Sequence, residues 1–190
     1  MRQGRGWQIE RSVSDMLRLL ILRHAKSDWD NAKLDDFDRP LSKRGRKDAP
    51  RMGRYIAEHA SPLDHVLCSS AVRTCETWAL MATALSKPPE PQMLRAMYLA
   101  GPDALLEIVR AAPPTCSTLL IIGHNPGLHE LALSLCSSRS STQPRKVLAK
   151  KFPTAALAVL QFRVKSWGAV KPGTGLLTAF VTPKLLTADL

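Results

Sequence analysis

The chain has 190 residues, 45% hydrophobic and 23% charged, which is typical of one globular domain with a substantial core. No apolar stretch approaches the length that spans a bilayer, and the basic N-terminus lacks the apolar block of a secretory signal. We therefore expect no membrane partner. We interpret residues 1–15 as a disordered extension and predict a single domain over residues 16–190.

The four cysteines stand far apart in the sequence and form no Cys-x-x-Cys pair; they are Cys68, Cys75, Cys116 and Cys136. This spacing favours free thiols in a reducing cytoplasm over disulfides or a structural zinc site. We accordingly predict a cytoplasmic protein with no metal and no cofactor.

The net charge of +11 is unevenly distributed, since residues 131–190 hold nine Lys or Arg and one acid. Four of these bases fall in a stretch that we predict to be a Ser- and Pro-rich loop: Arg145, Lys146, Lys150 and Lys151. No aromatic residues alternate with them and no nucleic-acid motif accompanies them, so we predict no nucleic-acid partner. Two interpretations remain open, attraction to phosphorylated or acidic partners and a solvated charged loop.

The first predicted element begins at Leu17 in the stretch LRLLILRHAKS. Its near-continuous aliphatic run is typical of a strand buried on both faces inside a parallel sheet. Ligands of open α/β sheets bind just beyond the carboxyl ends of such strands, where Arg23 and His24 stand. Taken alone, this common dipeptide favours a strand cap followed by an ordinary loop residue.

A polar loop over residues 28–39 leads to a helix with Ser42 as its N-cap, which runs to about His59. We expect Gly45, Pro50 and Gly53 to bend or break this helix. A second strand follows over residues 63–68. Residues 69–70 then open a helix over residues 71–85 that carries Arg73 in its first turn.

The remaining elements alternate in the same way. We predict a loop over 87–92, a short strand or turn over 93–99, a helix over 103–111, a strand over 118–122, a sharp turn over 123–127, a helix over 128–136, a flexible link over 137–144, and strands over 155–164 and 176–181 that pair antiparallel. Strands that alternate with helices predict a layered α/β/α fold.

Three of these strands end in polar groups, which are Arg23 with His24, Ser69 with Arg73, and His124. If the strands are adjacent and parallel, all three groups meet at one edge of the sheet. Two guanidinium forks suit a tetrahedral dianion, and a helix N-terminus adds backbone donors. Histidine can attack phosphorus when its ring nitrogen is unprotonated, and neighbouring arginines lower its pKa. A second histidine can donate to the phosphoryl oxygens.

The segments LILRHAKSDW, DRPLSKRG, LCSSAVRTCET and LLIIGHNPG together resemble the histidine phosphatase superfamily, which includes the phosphoglycerate mutases. Their order and spacing are most similar to its short SixA-type phosphohistidine phosphatases. The resemblance implies an α/β fold of the phosphoglycerate mutase type, a three-layer α/β/α sandwich with a mostly parallel central sheet.

The resemblance also implies roles for the site residues. His24 would be the nucleophile, Arg23 and Arg73 the phosphate clamp, and His124 the second histidine of the pocket. Arg39 either reaches the pocket or forms a structural salt bridge with Asp36 or Asp38. Ser69 either donates to phosphate or caps the helix.

Two departures from the family pattern bear on the substrate. The usual glycine after the nucleophile is Ala25 here, and residues 93–101 lack the acidic proton donor of larger members. Asp28 or Asp30 could substitute for it. A phosphohistidine has a labile P–N bond that needs little protonation, so the missing acid favours that substrate. The short spacing between Arg73 and His124 leaves no residues for a lid, which predicts an open site.

We therefore expect a phosphatase that works through a phosphohistidine enzyme intermediate and removes phosphate from phosphohistidine on a protein. The first alternative is a phosphatase of small phosphomonoesters. The second is a non-catalytic module that binds phosphorylated proteins.

Overall fold

The structure is a computed structural model that describes residues 16–60 and 62–187, so the extension expected over residues 1–15 lies outside the described residues. Within them are six strands: Leu17–Arg23 (β1), His65–Ser69 (β2), Gln92–Leu94 (β3), Thr118–Gly123 (β4), Leu157–Phe162 (β5) and Leu176–Val181 (β6). The same residues form five α-helices: Lys43–His59 (α1), Val72–Ala82 (α2), Pro102–Arg110 (α3), Gly127–Leu135 (α4) and Thr142–Lys150 (α5). No helix in these ranges is long and apolar enough to cross a membrane.

The strands form one sheet in the order β3-β2-β4-β1-β5-β6. The first four are mutually parallel, while β5 runs antiparallel to β1 and β6 antiparallel to β5. The predicted antiparallel pair and the mostly parallel sheet are thus confirmed. The three strands that end in polar groups, β2, β4 and β1, are neighbours and parallel, so their carboxyl ends meet.

Side chains of β1 alternate between two cores, one on each face of the sheet. Leu19 and Ile21 pack with residues of α3, α4 and α5, whereas Leu20 and Leu22 pack with residues of α1 and α2. All four are fully buried, as the near-continuous apolar run predicts. The three-layer α/β/α sandwich is confirmed.

Helix α1 runs without interruption for 17 residues, so the expected break at its glycines and proline is wrong. Ser42 is its N-cap, as predicted, and accepts from Gly45 N at 3.2 Å. A Cβ on Gly45 would lie 2.2 Å from Lys26 O, and one on Gly53 would lie 2.4 Å from Met81 O. These glycines permit close backbone approach rather than end the helix.

Helix α5 occupies part of the stretch that we predicted to be a flexible link and a basic loop. Pro144 lies in its first turn, where a backbone N–H is not needed. Leu148 is fully buried and fixes the helix on the core. The basic residues of this stretch therefore stand on or just after an ordered helix.

Candidate active site

The carboxyl ends of β1, β2 and β4 border a pocket of about 240 Å³. The residues that line it are Arg23, His24, Lys26, Ser27, Trp29, Asp36, Arg39, Arg73, Leu99, His124, Asn125 and Thr154. The ring centroids of the two histidines are 5.2 Å apart. Five of the six site residues predicted from the sequence thus meet in one pocket, and the sixth, Ser69, lies behind it.

His24 is 6% exposed, and its Nδ1 lies 2.7 Å from Ala25 O. A carbonyl oxygen can only accept, so Nδ1 carries the ring proton and Nε2 keeps its lone pair. The pKa of His24 is lowered to about 3, chiefly by burial; the hydrogen bond to Ala25 opposes this shift, and the neighbouring His124, Arg73 and Arg23 add to it. The predicted direction is confirmed, although burial exceeds the arginines as its cause.

His124 Nε2 lies 2.8 Å from Ser69 Oγ. Among the described residues its buried Nδ1 has no hydrogen-bond partner. Burial, followed by the charge of Arg73, lowers the pKa of His124 to about 3. Both rings are therefore neutral at physiological pH.

Two guanidinium groups face the same pocket. Arg23 Nη1 donates to Phe152 O at 3.0 Å, while its buried Nε has no partner within residues 16–60 and 62–187. Burial, together with the charge of Arg73, lowers the pKa of Arg23. Arg73 donates to the carboxylate and to the backbone carbonyl of Asp36. Two adjacent guanidinium groups of this kind suit a doubly charged tetrahedral anion.

Asp36 is the one acid that lines the pocket among the described residues, and sequence reasoning considered it only as a partner of Arg39. Its Oδ2 accepts from Arg73 Nη2 and from Tyr98 Oη, both at 2.8 Å. Burial raises the pKa of Asp36, but the Tyr98 hydrogen bond and the Arg73 charge outweigh this effect and lower it overall. Asp36 is therefore an ionised carboxylate at the pocket.

Tyr98 was also missed by sequence reasoning. It stands in the stretch noted for its lack of an acid, and its ring packs edge-on against His124 with centroids 5.4 Å apart. The available signal was indirect, since this stretch follows β3 at the same edge of the sheet as Ser69. It supplies a hydroxyl to Asp36 rather than a carboxylate to the pocket.

Both interpretations of Arg39 hold. It lines the pocket, and its Nη1 pairs with Asp36 Oδ1 at 3.0 Å. Its guanidinium carbon also lies 3.0 Å from the ring centroid of Trp29, which is 67% exposed. Arg39 thus connects Asp36 to an exposed aromatic side chain at the pocket.

The structure also corrects the predictions for the N-cap of α2 and for a substitute proton donor. Ala71, not Ser69, is the N-cap of α2, and the Ser69 hydroxyl contacts His124 instead. Asp28 and Asp30 do not line the pocket, so neither stands where a substitute proton donor would be needed. The Ala25 side chain is fully buried in the core of α1 and α2.

The four cysteines are free thiols. In the part of the chain that the structure describes, no group of three or more His, Cys, Asp or Glu side chains is placed to hold a metal ion. The positive charge of the pocket comes from three guanidinium groups and the ammonium group of Lys26.

Comparison with known families shows what this chain is similar to. A model described as the histidine phosphatase superfamily (branch 1) matches residues 19–94, which include Arg23, His24 and Arg73. An uncharacterised protein of Mycobacterium tuberculosis is 33% identical over 164 residues, covering 86% of this chain and 100% of the relative. An uncharacterised chloroplastic protein of Arabidopsis thaliana is 32% identical over 185 residues, covering 90% and 80%.

Solved structures show the same likeness. A candidate phosphohistidine phosphatase SixA from Nakamurella multipartitia superposes with a TM-score of 0.76 at 26% identity, covering 88% of this chain and 96% of that one. A second candidate phosphohistidine phosphatase SixA, from Agrobacterium tumefaciens, superposes with a TM-score of 0.73 at 26% identity, covering 88% and 98%. With the motifs and the sheet order, these matches show that the chain belongs to the histidine phosphatase superfamily, in its SixA-like branch.

Proposed function

We propose that this protein is a cytoplasmic phosphatase that removes the phosphoryl group from phosphohistidine on a protein, through a covalent intermediate on His24. The observation that carries the proposal is the bond between His24 Nδ1 and Ala25 O, in a pocket with two arginines and a second histidine. Membership of the superfamily supports a phosphatase, and the free thiols favour a reducing compartment.

In the first step, His24 Nε2 forms a bond to phosphorus while the P–N bond of the substrate breaks. The depressed pKa keeps Nε2 unprotonated, and Arg23 and Arg73 stabilise charge on the phosphoryl oxygens. The Ser69 hydroxyl can donate to His124 Nε2, which leaves the ring proton of His124 on Nδ1. That proton is then available to a phosphoryl oxygen.

In the second step, water attacks phosphorus and the bond to His24 Nε2 breaks, releasing inorganic phosphate. His24 leaves as a neutral imidazole because its proton stays on Nδ1, against Ala25 O. Neither step requires the ring of His24 to change its tautomer. No metal is needed for charge stabilisation when the guanidinium groups provide it.

Asp36 supports the choice of a phosphohistidine over an alkyl phosphate. An alkoxide leaving group needs a proton, and an ionised carboxylate held by Arg73 and Tyr98 is a poor donor. A phosphorylated imidazole that is protonated on its far nitrogen leaves as neutral imidazole without a further proton. The Asp36 carboxylate can accept a hydrogen bond from that far N–H and stabilise this reactive form.

The rim of the pocket supports a substrate displayed on a protein surface. Trp29 and Leu99 both line the pocket, although they are 67% and 55% exposed. Lys26, also exposed, adds a positive charge there. Exposed apolar and basic side chains at a phosphate pocket can contact residues that flank a phosphorylated side chain.

The proposal is tested by trapping the intermediate with a protein that carries radiolabelled phosphohistidine. Wild-type enzyme is expected to give an acid-labile, base-stable phosphoenzyme, and His24→Ala none. His65→Ala is the matched control and should label like wild type. His65 begins β2, at the end of the strand away from the pocket, and forms a hydrogen bond with the Gln92 side chain. Equal labelling of wild type and His24→Ala would overturn the covalent mechanism.

A phosphatase of small phosphomonoesters is the second candidate, favoured by a pocket of about 240 Å³ that can enclose a small molecule. The two functions differ in kcat/KM, measured on a panel of sugar and nucleotide phosphates beside the phosphohistidine protein. A higher value for any of these metabolites would favour the second candidate. Tight binding of phosphopeptides without turnover would instead indicate a non-catalytic module.

A further inference from the structure

Two thiols that the proposed chemistry does not use meet behind the pocket. Cys68 on β2 and Cys75 on α2 both contact the carbonyl oxygen of Ser69, at Sγ to O distances of 3.4 and 3.8 Å. Cys75 Sγ also lies 3.8 Å from the sulfur of Met93, whose side chain is exposed. The chain thus brings two cysteines, seven residues apart, to one oxygen atom.

The two thiols differ in exposure and acidity. Cys68 is fully buried, whereas Cys75 is partly exposed. The pKa of Cys75 is lowered to about 7, chiefly by a hydrogen bond with the Cys68 thiol. The same hydrogen bond, together with burial, raises the pKa of Cys68. A partly exposed thiolate beside a buried thiol is the arrangement of an attacking and a resolving cysteine.

We propose that Cys75 and Cys68 form a reversible disulfide in response to hydroperoxides. The Cys75 thiolate attacks the peroxide oxygen, the O–O bond breaks, and Cys75 becomes a sulfenic acid. The Cys68 sulfur then attacks the Cys75 sulfur, the S–O bond breaks, and water leaves with the thiol proton. Two thiols lose two electrons in total, and one hydrogen peroxide is reduced to two waters.

The disulfide spans the segment that carries two site residues, and its effect on activity rests on the proposed function. Ser69 contacts His124 at 2.8 Å and Arg73 contacts Asp36 at 2.8 Å, and both lie between the two cysteines in the sequence. Thr74 Oγ1 also donates to Ser69 O at 2.7 Å. A disulfide draws its sulfurs to about 2.05 Å, which removes both thiols from Ser69 O and tightens the turn.

The test uses the full chain and the wild-type protein first. Reduced enzyme is treated with graded hydrogen peroxide, alkylated, digested with trypsin and analysed by mass spectrometry. Trypsin cuts after Arg73, so the disulfide joins a peptide of residues 55–73 to one of residues 74–95. This linked pair is expected at low peroxide and is expected to disappear with dithiothreitol. The mass measurement does not depend on the phosphatase activity.

Activity provides the second measurement. Oxidation is expected to lower the phosphatase rate about tenfold or more, because a small displacement of catalytic groups is costly, and reduction should restore it. Cys75→Ser and Cys68→Ala should abolish the reversible response, while Cys136→Ser, at another partly exposed cysteine, should retain it. The proposal is wrong if the linked pair does not form, or if it forms without loss of activity.

Discussion

Asp36 Oδ2 lies 2.8 Å from Arg73 Nη2, so a carboxylate contacts the guanidinium group that we propose as part of the phosphate clamp. Asp36→Asn removes its charge but nearly keeps its shape. We expect kcat/KM for a phosphohistidine protein to fall about 10- to 100-fold, the cost of one charge-assisted hydrogen bond. For p-nitrophenyl phosphate, whose leaving group needs no proton, kcat/KM should not fall.

The matched control for this change is Asp28→Asn, because Asp28 lies in the same loop but does not line the pocket. Its two rates should stay close to those of wild type. A parallel fall in both rates for Asp36→Asn would contradict a role in choosing the leaving group.

Ser69→Ala removes the hydroxyl that contacts His124 Nε2 without creating a large cavity. Loss of a neutral hydrogen bond of about 1 kcal/mol predicts a fall in kcat of about fivefold, with KM nearly unchanged. Ser70→Ala, next in the chain, is the control. Steady-state kinetics of both variants measure the effect. A change confined to KM would assign Ser69 to substrate binding instead.

The two pocket histidines predict how stability depends on pH. Their pKa values are about 3 in the folded protein, against 6.5 for an ordinary histidine, so the unfolded chain binds more protons between these values. The free energy of unfolding is therefore fully maintained above pH 6.5 and falls as the pH decreases towards 3. Each histidine contributes a slope of about 1.4 kcal/mol per pH unit in that window.

Denaturant unfolding of His24→Gln measures this slope. Between about pH 6 and pH 4 the variant should lose stability less steeply than wild type, by roughly 1.4 kcal/mol per pH unit. Ser70→Ala, which changes no titratable group, should retain the wild-type slope. Identical slopes for wild type and His24→Gln would show that His24 is not buried in its neutral form.

Gly45→Ala tests the packing beneath the pocket. The added Cβ would lie 2.2 Å from Lys26 O, a backbone atom that cannot rotate away. We expect a loss of about 1–3 kcal/mol or more in the free energy of unfolding, together with lower activity, because Lys26 and Ser27 line the pocket. Gly101→Ala has no atom within 4 Å of its Cβ and should be nearly neutral. Thermal unfolding of the two variants distinguishes these outcomes.

The sequence predicted the fold well wherever the residue types and their periodicity indicated the same element. The aliphatic runs of β1, β2 and β4 are short and buried, and each is followed at once by polar residues. Because the carboxyl ends of parallel strands meet at one edge of a sheet, the sequence alone predicts that His24, Arg73 and His124 lie close together. Pro126 and Gly127 also marked the turn into α4.

The remaining features depend on tertiary contacts that local patterns do not encode. Asp36 and Tyr98 meet only in the folded chain, across 62 residues. By sequence alone, Gly45 and Gly53 resemble helix breakers. Only the fold shows that they make room for the backbone of Lys26 and Met81. Helix α5 is mostly polar, and the burial of Leu148 fixes it on the core.

The position of β1 has a consequence for synthesis of the chain. Strand β1, which ends just before His24, is the first of the six described strands to be translated, yet it pairs with β4 on one side and β5 on the other. Translation must pass residue 162 before both of its edges are covered, and such non-local pairing is slow. During that interval β1 presents unpaired backbone N–H and C=O groups at its edges and aliphatic side chains on its faces, so the growing chain is most vulnerable to aggregation before its pocket exists.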